Sequence, residues 1–198
     1  RKERENLLRM AVDLDITHFD SAPLYGFRQS EKNLKKILKA FPALTVTSKL
    51  GLYPPGNSNQ SYLEVLVRKS GGWFSPDLKR PIVDFSTKMG KKSLEITLAN
   101  LGRDQLDLVL LHDPQITMLD SEEWYTFLVR ARDSGIVKSF GVDGSAPNLS
   151  KLIEKYPHLC EIVQCRDDLH YTAEEFCGRL KRTPQITFGY MTDGNTLQ

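Results

Sequence analysis

The sequence predicts an α/β protein built on a parallel sheet, and three observations carry that prediction. Amphipathic helical stretches alternate with short apolar or β-branched stretches, with no repeat or low-complexity segment between them. The run Leu106-Asp107-Leu108-Val109-Leu110-Leu111 is almost continuously apolar, as a parallel strand covered on both faces should be. A length of 198 residues suits one domain with a sizeable core, so these elements belong to one sheet. Right-handed crossovers follow from the alternation. Doubly wound sheets and (β/α) barrels share this pattern, and alternation alone does not separate them. A G-x-G-x-x-G after a strand would favour a dinucleotide-binding sheet, and the chain has none.

Leu7, Leu8, Ala11 and Leu14 fall at helical spacing and predict an amphipathic helix over residues 3–14. Residues 16–19 read as the first strand, followed by the turn formers Ser21, Pro23 and Gly26. Ser30 can cap a second helix with Leu34, Ile37, Leu38 and Phe41 on its apolar face, stopped by Pro42. Residues 44–48 form the second strand, with Lys49 at its end. Residues 51–90 are weakly patterned, with Pro54-Pro55-Gly56, Gly71-Gly72 and Pro76. So long a stretch is usually functional or mobile, and it has room for a short helix near 62–68.

Leu94, Leu98 and Leu101 mark a third helix, ended by Gly102. The strand at 106–111 follows, with His112 at its end. Asp120-Ser121-Glu122-Glu123 carries a capping pattern for a helix whose buried face is Trp124, Phe127, Leu128 and Ala131, with Gly135 just past its end. Residues 137–142 form a strand that ends at Asp143-Gly144. A helix with Leu149, Leu152 and Ile153 is closed by Pro157. Residues 161–165, containing Gln164, form the next strand, and Thr172 with Glu175 caps a helix through Phe176 and Leu180. Residues 185–190 form the last strand, before a tail containing Gly194. The count is six strands.

Charged residues make up 26% and hydrophobic residues 40%, the balance of a soluble globular chain. A net charge of +2 is too small to argue for nucleic acid or an acidic membrane, and neither is expected as a partner. The basic pairs Lys35-Lys36, Lys79-Arg80 and Lys91-Lys92 read as solvated faces. No apolar run is long enough to span a bilayer, so no membrane is expected. Cys160, Cys165 and Cys177 are odd in number and lack C-x-x-C spacing, which favours reduced thiols in the cytoplasm. No metal site is expected, and no signal peptide is visible, although the chain begins at Arg1 and not at Met.

The strand ends carry the chemistry. Asp20, Lys49 and His112 each stand at the end of a strand, and Tyr25 follows Asp20 on the loop. Catalytic side chains collect at the C-terminal ends of parallel strands, and in a barrel these ends share one face. A free Tyr has a pKa of about 10 and exchanges protons poorly near neutrality. A nearby ammonium lowers that value, a carboxylate holds the ammonium charged and aimed, and an imidazole can orient a carbonyl oxygen. Such a set polarises a C=O while hydride arrives from elsewhere. Taken singly, Lys49 reads equally as a surface cation, His112 as a core histidine, and Asp20 as a helix cap.

Phe19-Asp20-Ser21-Ala22-Pro23-Leu24-Tyr25-Gly26, with Ser30-Glu31 after it, resembles the aldo-keto reductase signature F-D-T-A-x-x-Y-G-x-S-E with a turn two residues longer. Thr47-Ser48-Lys49 is similar to the family's T-K or S-K strand end, residues 106–114 (LDLVLLHDP) to its D-L-x-x-L-H motif, and residues 136–142 to its G-K-I-R-x-x-G-V-S strand. Residues 80–114 also resemble the aldose dehydrogenase branch, in which V-F-D-Y-S precedes a similar helix. The resemblance implies a (β/α)8 TIM barrel and NADPH-dependent, or NADH-dependent, reduction of an aldehyde, ketone or sugar carbonyl. It implies Tyr25 as general acid in reduction and base in oxidation, Lys49 lowering its pKa, Asp20 pairing with Lys49, and His112 positioning the substrate oxygen. It also implies that Gln164 bonds the nicotinamide carboxamide and that Phe188 stacks on the nicotinamide; a strand-end amide and a core aromatic are their ordinary alternatives.

The pattern departs from the family in two places. A (β/α)8 barrel typically takes about 250 residues. Residues 1–198 read as a single barrel domain with six of eight strands, without the first and eighth, which leaves open edges and points either to part of a longer polypeptide, the favoured reading, or to a reduced chain that is not a competent enzyme. Asp143-Gly144-Ser145 stands where the family often has Ser-Asn at the carboxamide, so Asp143 and Gly144 are the cofactor contacts expected there. Trp73 and Phe74 are candidates for a substrate wall. Two other functions remain open at this point: a catalytically inactive, cofactor-binding or regulatory relative, and an isomerase or aldolase using Lys49 as a Schiff-base amine.

Overall fold

The computed structural model describes residues 2–56, 80–168, 178, 180 and 182–189. The expected helices near 62–68 and at Thr172–Phe176, the aromatic pair Trp73 and Phe74, and the tail at Gly194 lie outside the described residues.

Helix α1 (Lys2–Asp13) has no buried residue, which corrects the expected face. Leu8 and Val12 pack partly on the core, whereas Leu7 and Leu14 are 64% and 71% exposed. Residues one turn apart share a stripe, and only the Leu8–Val12 stripe faces the rest of the described chain. The chain then turns back, with Ile16 N–H bonded to Ala11 O and Asp15 at φ 61°, so β1 (His18–Asp20) starts later than the apolar pattern implies. Helix α2 (Gln29–Ala40) is capped by Arg28 in a left-handed conformation, not by Ser30. Ser30 Oγ instead accepts the Ser21 hydroxyl at 3.0 Å.

Strand β2 (Thr45–Leu50) precedes a two-stranded antiparallel pair, β3 (Leu52–Tyr53) and β4 (Ile82–Val83), inside the stretch that read as irregular. Helix α3 (Thr87–Leu101) is capped by Ser86 Oγ, which accepts the Met89 N–H at 3.3 Å. After β5 (Leu106–His112), α4 (Ser121–Asp133) is capped by Asp120, which accepts the Glu123 N–H at 3.0 Å as the pattern predicts. Gly102 and Gly135 end α3 and α4 with positive φ. Strand β6 (Val137–Gly144), helix α5 (Ala146–Lys155), β7 (Ile162–Arg166) and β8 (Ile186–Phe188) complete the order.

The six-stranded sheet runs β1-β2-β5-β6-β7-β8, and every pairing is parallel. From β1 to β7 a helix lies on every connection between neighbouring strands of the sheet. The sheet is curled. β7 stands four places from β1 in the order. In a flat sheet four strand spacings would separate them by about 19 Å. Yet Gln164 Nε2 on β7 donates to Asp20 Oδ2 on β1 at 3.0 Å. Only a sheet rolled toward a partial barrel brings these two side chains together. The outer layer packs its apolar faces on the sheet: Leu34, Ile37 and Leu38 of α2, Leu94 and Leu101 of α3, Trp124 and Leu128 of α4, and Leu149 and Leu152 of α5 are all buried.

Candidate active site

The strands deliver their polar residues in register. Asp20 pairs with Thr47, two residues before Lys49, and Lys49 pairs with Leu110, two residues before His112. Side chains two residues apart share a strand face, so Asp20, Lys49 and His112 all point into the curl. Asp143 pairs with His112 on one side and Gln164 on the other, which makes a row of three polar side chains at the C-terminal rim.

Lys49 lies at the centre, with no exposed surface. Its Nζ donates to Asp20 Oδ1 at 2.5 Å, to Tyr25 Oη at 3.3 Å and to Ser21 O at 3.4 Å. Burial pushes the ammonium's pKa down, but Asp20, Tyr25 and Asp143 push it up further, so it ends above its ordinary value and stays charged. Tyr25 does not follow the expected direction. Burial raises its pKa, the ammonium and its hydrogen bond lower it by less, and the net shift is upward. The lysine works against a larger desolvation cost that strand-end spacing does not reveal.

His112 meets Tyr25 edge to face, with ring centroids 6.0 Å apart and planes at 89°. Its Nδ1 is buried without a hydrogen-bond partner. Burial, together with Lys49, lowers its pKa from 6.5 to about 4, against a weaker opposing pull from Asp20. The imidazole is therefore neutral at pH 7, and the folded state gives up proton affinity that the unfolded chain keeps. The contribution of His112 to stability is fully present above about pH 6.5 and is lost as pH falls through the window down to about 4. Nitrogen-15 spectra should show the neutral ring of His112 unchanged from pH 5 to 8; titration near 6.5 would contradict this burial.

Asp143 is 3% exposed. Its Oδ1 accepts the Asp113 N–H at 2.9 Å, and burial raises its pKa to about 7 even though Lys49 and that N–H pull it down. Gly144 follows it, and a Cβ there would come within 2.8 Å of Asp113 Oδ1, which Asn148 Nδ2 holds in place at 3.0 Å. Gln164 is buried, its amide nitrogen is committed to Asp20, and its Oε1 is buried without a partner. The carboxylate can only accept, so it fixes which end of the amide is oxygen. Phe188 is half-buried and pairs with Arg166, two residues past Gln164 on the same face.

These residues fit a nicotinamide. The orphaned Gln164 Oε1 is an acceptor for a carboxamide N–H, Asp143 lies beside it in register with Gly144 next along the strand, and Phe188 offers a ring on the same face. Among the described residues no group of His, Cys, Asp and Glu is arranged to hold a metal ion, and no helix is long and apolar enough to cross a membrane. Cys160 and Cys165 are buried, and burial pushes the Cys160 thiol up to about 12.

A second layer holds the loop that carries Tyr25, and the spacing of the strand ends does not point to it. Arg28 and Glu31 form a buried ion pair at 3.2 Å, with side chains 4% and 0% exposed. Arg28 also donates to Ser93 and Thr97 on α3, and Glu31 accepts from Thr97, Asn100 and Ser48, the neighbour of Lys49. One sequence signal existed: Glu31 stands one turn before Leu34 on the buried stripe of α2, and a charge there must be paired.

A curled all-parallel sheet with a buried ammonium, a carboxylate, a phenol and an imidazole at one rim defines an α/β protein with its site at the strand C-termini. Residues 1–165 match the aldo/keto reductase family. The chain belongs to that family. D-threo-aldose 1-dehydrogenase of a Pseudomonas species is 32% identical over 142 residues, covering 69% of this chain and 42% of the relative. Pyridoxal 4-dehydrogenase of Microbacterium luteolum is 27% identical over 157 residues, covering 72% and 46%. The chain thus spans less than half the length of these two curated relatives. Among solved structures, the glycerol dehydrogenase of Gluconobacter oxydans superposes with a TM-score of 0.69 at 20% identity, covering 93% of this chain and 51% of that one. An aldo-keto reductase of Klebsiella pneumoniae in complex with NADPH gives 0.58 at 17%, covering 82% and 47%.

Proposed function

We propose that this chain carries the catalytic rim of an NADPH-dependent oxidoreductase, with NADH as the alternative nucleotide, that reduces an aldehyde, ketone or sugar carbonyl or oxidises the corresponding alcohol. One observation carries the reading: Lys49 Nζ touches both Asp20 and Tyr25 while fully buried. The fold of the complete enzyme is a (β/α)8 barrel, and its branch is the one that acts on aldoses, a reading supported by the 32% identity to an aldose dehydrogenase.

The nicotinamide, when bound, supplies or accepts the hydride. Gln164, Asp143, Gly144 and Phe188 would hold it. The residues of this chain do the rest. Tyr25 Oη donates a proton to the carbonyl oxygen in reduction and takes it back in oxidation. Lys49 keeps a positive charge beside the oxygen that develops negative charge, so the transition state gains more than the ground state. Asp20 holds that ammonium in place. Neutral His112 orients the carbonyl oxygen without competing for the proton.

The experiment is NADPH consumption over a panel of aldehydes, ketones and aldoses, comparing the protein with Lys49→Met. Turnover should fall by at least about 100-fold in the variant. Equal turnover in the two proteins would remove Lys49 from the mechanism. Nucleotide binding with no turnover on any substrate would favour the inactive, regulatory relative.

A further inference from the structure

We propose that Asp143 sets the preference of the site between oxidised and reduced nicotinamide, attracting the cationic oxidised ring when ionised and losing that attraction when protonated. The inference rests on the cofactor assignment above and deepens it.

The site holds one ammonium and two carboxyls. Asp20 takes Lys49 Nζ at 2.5 Å and the Gln164 amide at 3.0 Å. Asp143 sits in the same rim between His112 and Gln164, 3% exposed. Its carboxyl receives a backbone N–H from Asp113, and that N–H is shared with the Asp143 carbonyl at 3.1 Å. It is the less compensated of the two acids, and burial accordingly brings its ionisation to about 7.

The groups that face it are accounted for. β1 presents Asp20 and the following loop presents Tyr25, whose phenol is un-ionised. β2 presents Lys49, charged and paired with Asp20. β5 presents neutral His112, with Asp113 beyond it. β7 presents the uncharged Gln164, and Arg166 further along is paired with Asp168 at 2.5 Å. Asp20 and Lys49 cancel, so ionising Asp143 adds one negative charge to the rim and protonating it removes that charge, whatever Asp113 contributes.

Oxidised nicotinamide carries one positive charge on its ring and reduced nicotinamide carries none. Binding the oxidised form near neutrality therefore expels the Asp143 proton into solvent. Binding the reduced form leaves that proton in place. The balance favours alcohol oxidation at higher pH and carbonyl reduction at lower pH by way of affinity alone.

The test measures dissociation constants of NADP+ and NADPH for the intact protein between pH 6 and 8.5, by fluorescence and by calorimetry in buffers of different ionisation enthalpy. The ratio of the two constants cancels the phosphate ionisations that both forms share. That ratio should shift about tenfold toward the oxidised form as pH rises, with proton release on NADP+ binding. In Asp143→Asn, which keeps an acceptor for the Asp113 N–H, the ratio should be flat and proton release absent. Asp143→Ser should behave as the Asn variant. The folded carboxyl ionises about 7 and not at its ordinary 3.8, so stability is lost as pH rises through that window; both variants escape the loss and should fold at least as well at pH 8. A flat ratio in the unaltered protein, or an unchanged slope in Asp143→Asn, overturns the inference. If neither nucleotide binds any of the proteins at any pH, the cofactor assignment itself fails, and this inference with it.

Discussion

Replacing Tyr25 by Phe should lower kcat by about 10²–10⁴-fold while nucleotide affinity stays within about twofold. The change removes one oxygen. That oxygen accepts from Lys49 at 3.3 Å, and Lys49 keeps Asp20 and Ser21 O as partners, so the ammonium is not orphaned. The ring itself stays against His112, and its 37% exposure means that little packing depends on the hydroxyl. Stability should change by no more than about 1 kcal/mol. The expected signature is a fall in kcat without unfolding, read by steady-state kinetics together with a thermal melt. A variant that retained turnover would show that protons reach the substrate by another route.

Replacing Glu31 by Ala should cost about 3–5 kcal/mol of stability, because it breaks a buried ion pair from one side. Arg28 would keep its charge inside the protein with Ser93 and Thr97 as neutral partners. Ser48, Thr97 and Asn100 would each lose an acceptor. The cost has a functional side. Gly26, Phe27 and Arg28 have φ of 58°, 56° and 65°, a left-handed run that L residues resist. Phe27 and Arg28 store about 1–3 kcal/mol each, and the anchored guanidinium is what holds them there. Releasing Arg28 releases the loop that places Tyr25, so kcat should fall in the variant even where it remains folded. Urea unfolding measures the first effect. Glu31→Gln, which keeps one acceptor oxygen and puts an N–H donor in place of the other, should lose less than Glu31→Ala. A loss below about 1 kcal/mol for Glu31→Ala would mean that the network is an ornament of the fold.

Much of this arrangement was legible in the order of residues, for physical reasons that can be named. Parallel strands buried on both faces read as apolar runs, so β5 and its terminal His112 stood out. Caps that depend on a local hydrogen bond, such as Asp120 with Glu123, are local in sequence and were visible. Ser30 misled because Arg28 enters α2 through a left-handed residue, held by partners on α3 that are some 65 residues away. Leu7 and Leu14 misled because helical periodicity names a face without naming what covers it. The upward shift of Tyr25 was hidden because spacing reveals which charges can meet but not how much water they lose. Gln164 and Asp20 are 144 residues apart, and only the curl of the sheet makes them neighbours.

The central claim is that Tyr25, Lys49, Asp20 and His112 act together on a carbonyl to which a nicotinamide delivers hydride. The most direct test supplies nucleotide deuterated at the transferring position and follows the product alcohol by mass spectrometry. One deuterium on the carbinol carbon, present with the unaltered protein and absent over the same interval with Tyr25→Phe, is the result this account predicts. Product formed without deuterium, or labelled equally fast by Tyr25→Phe, would contradict it.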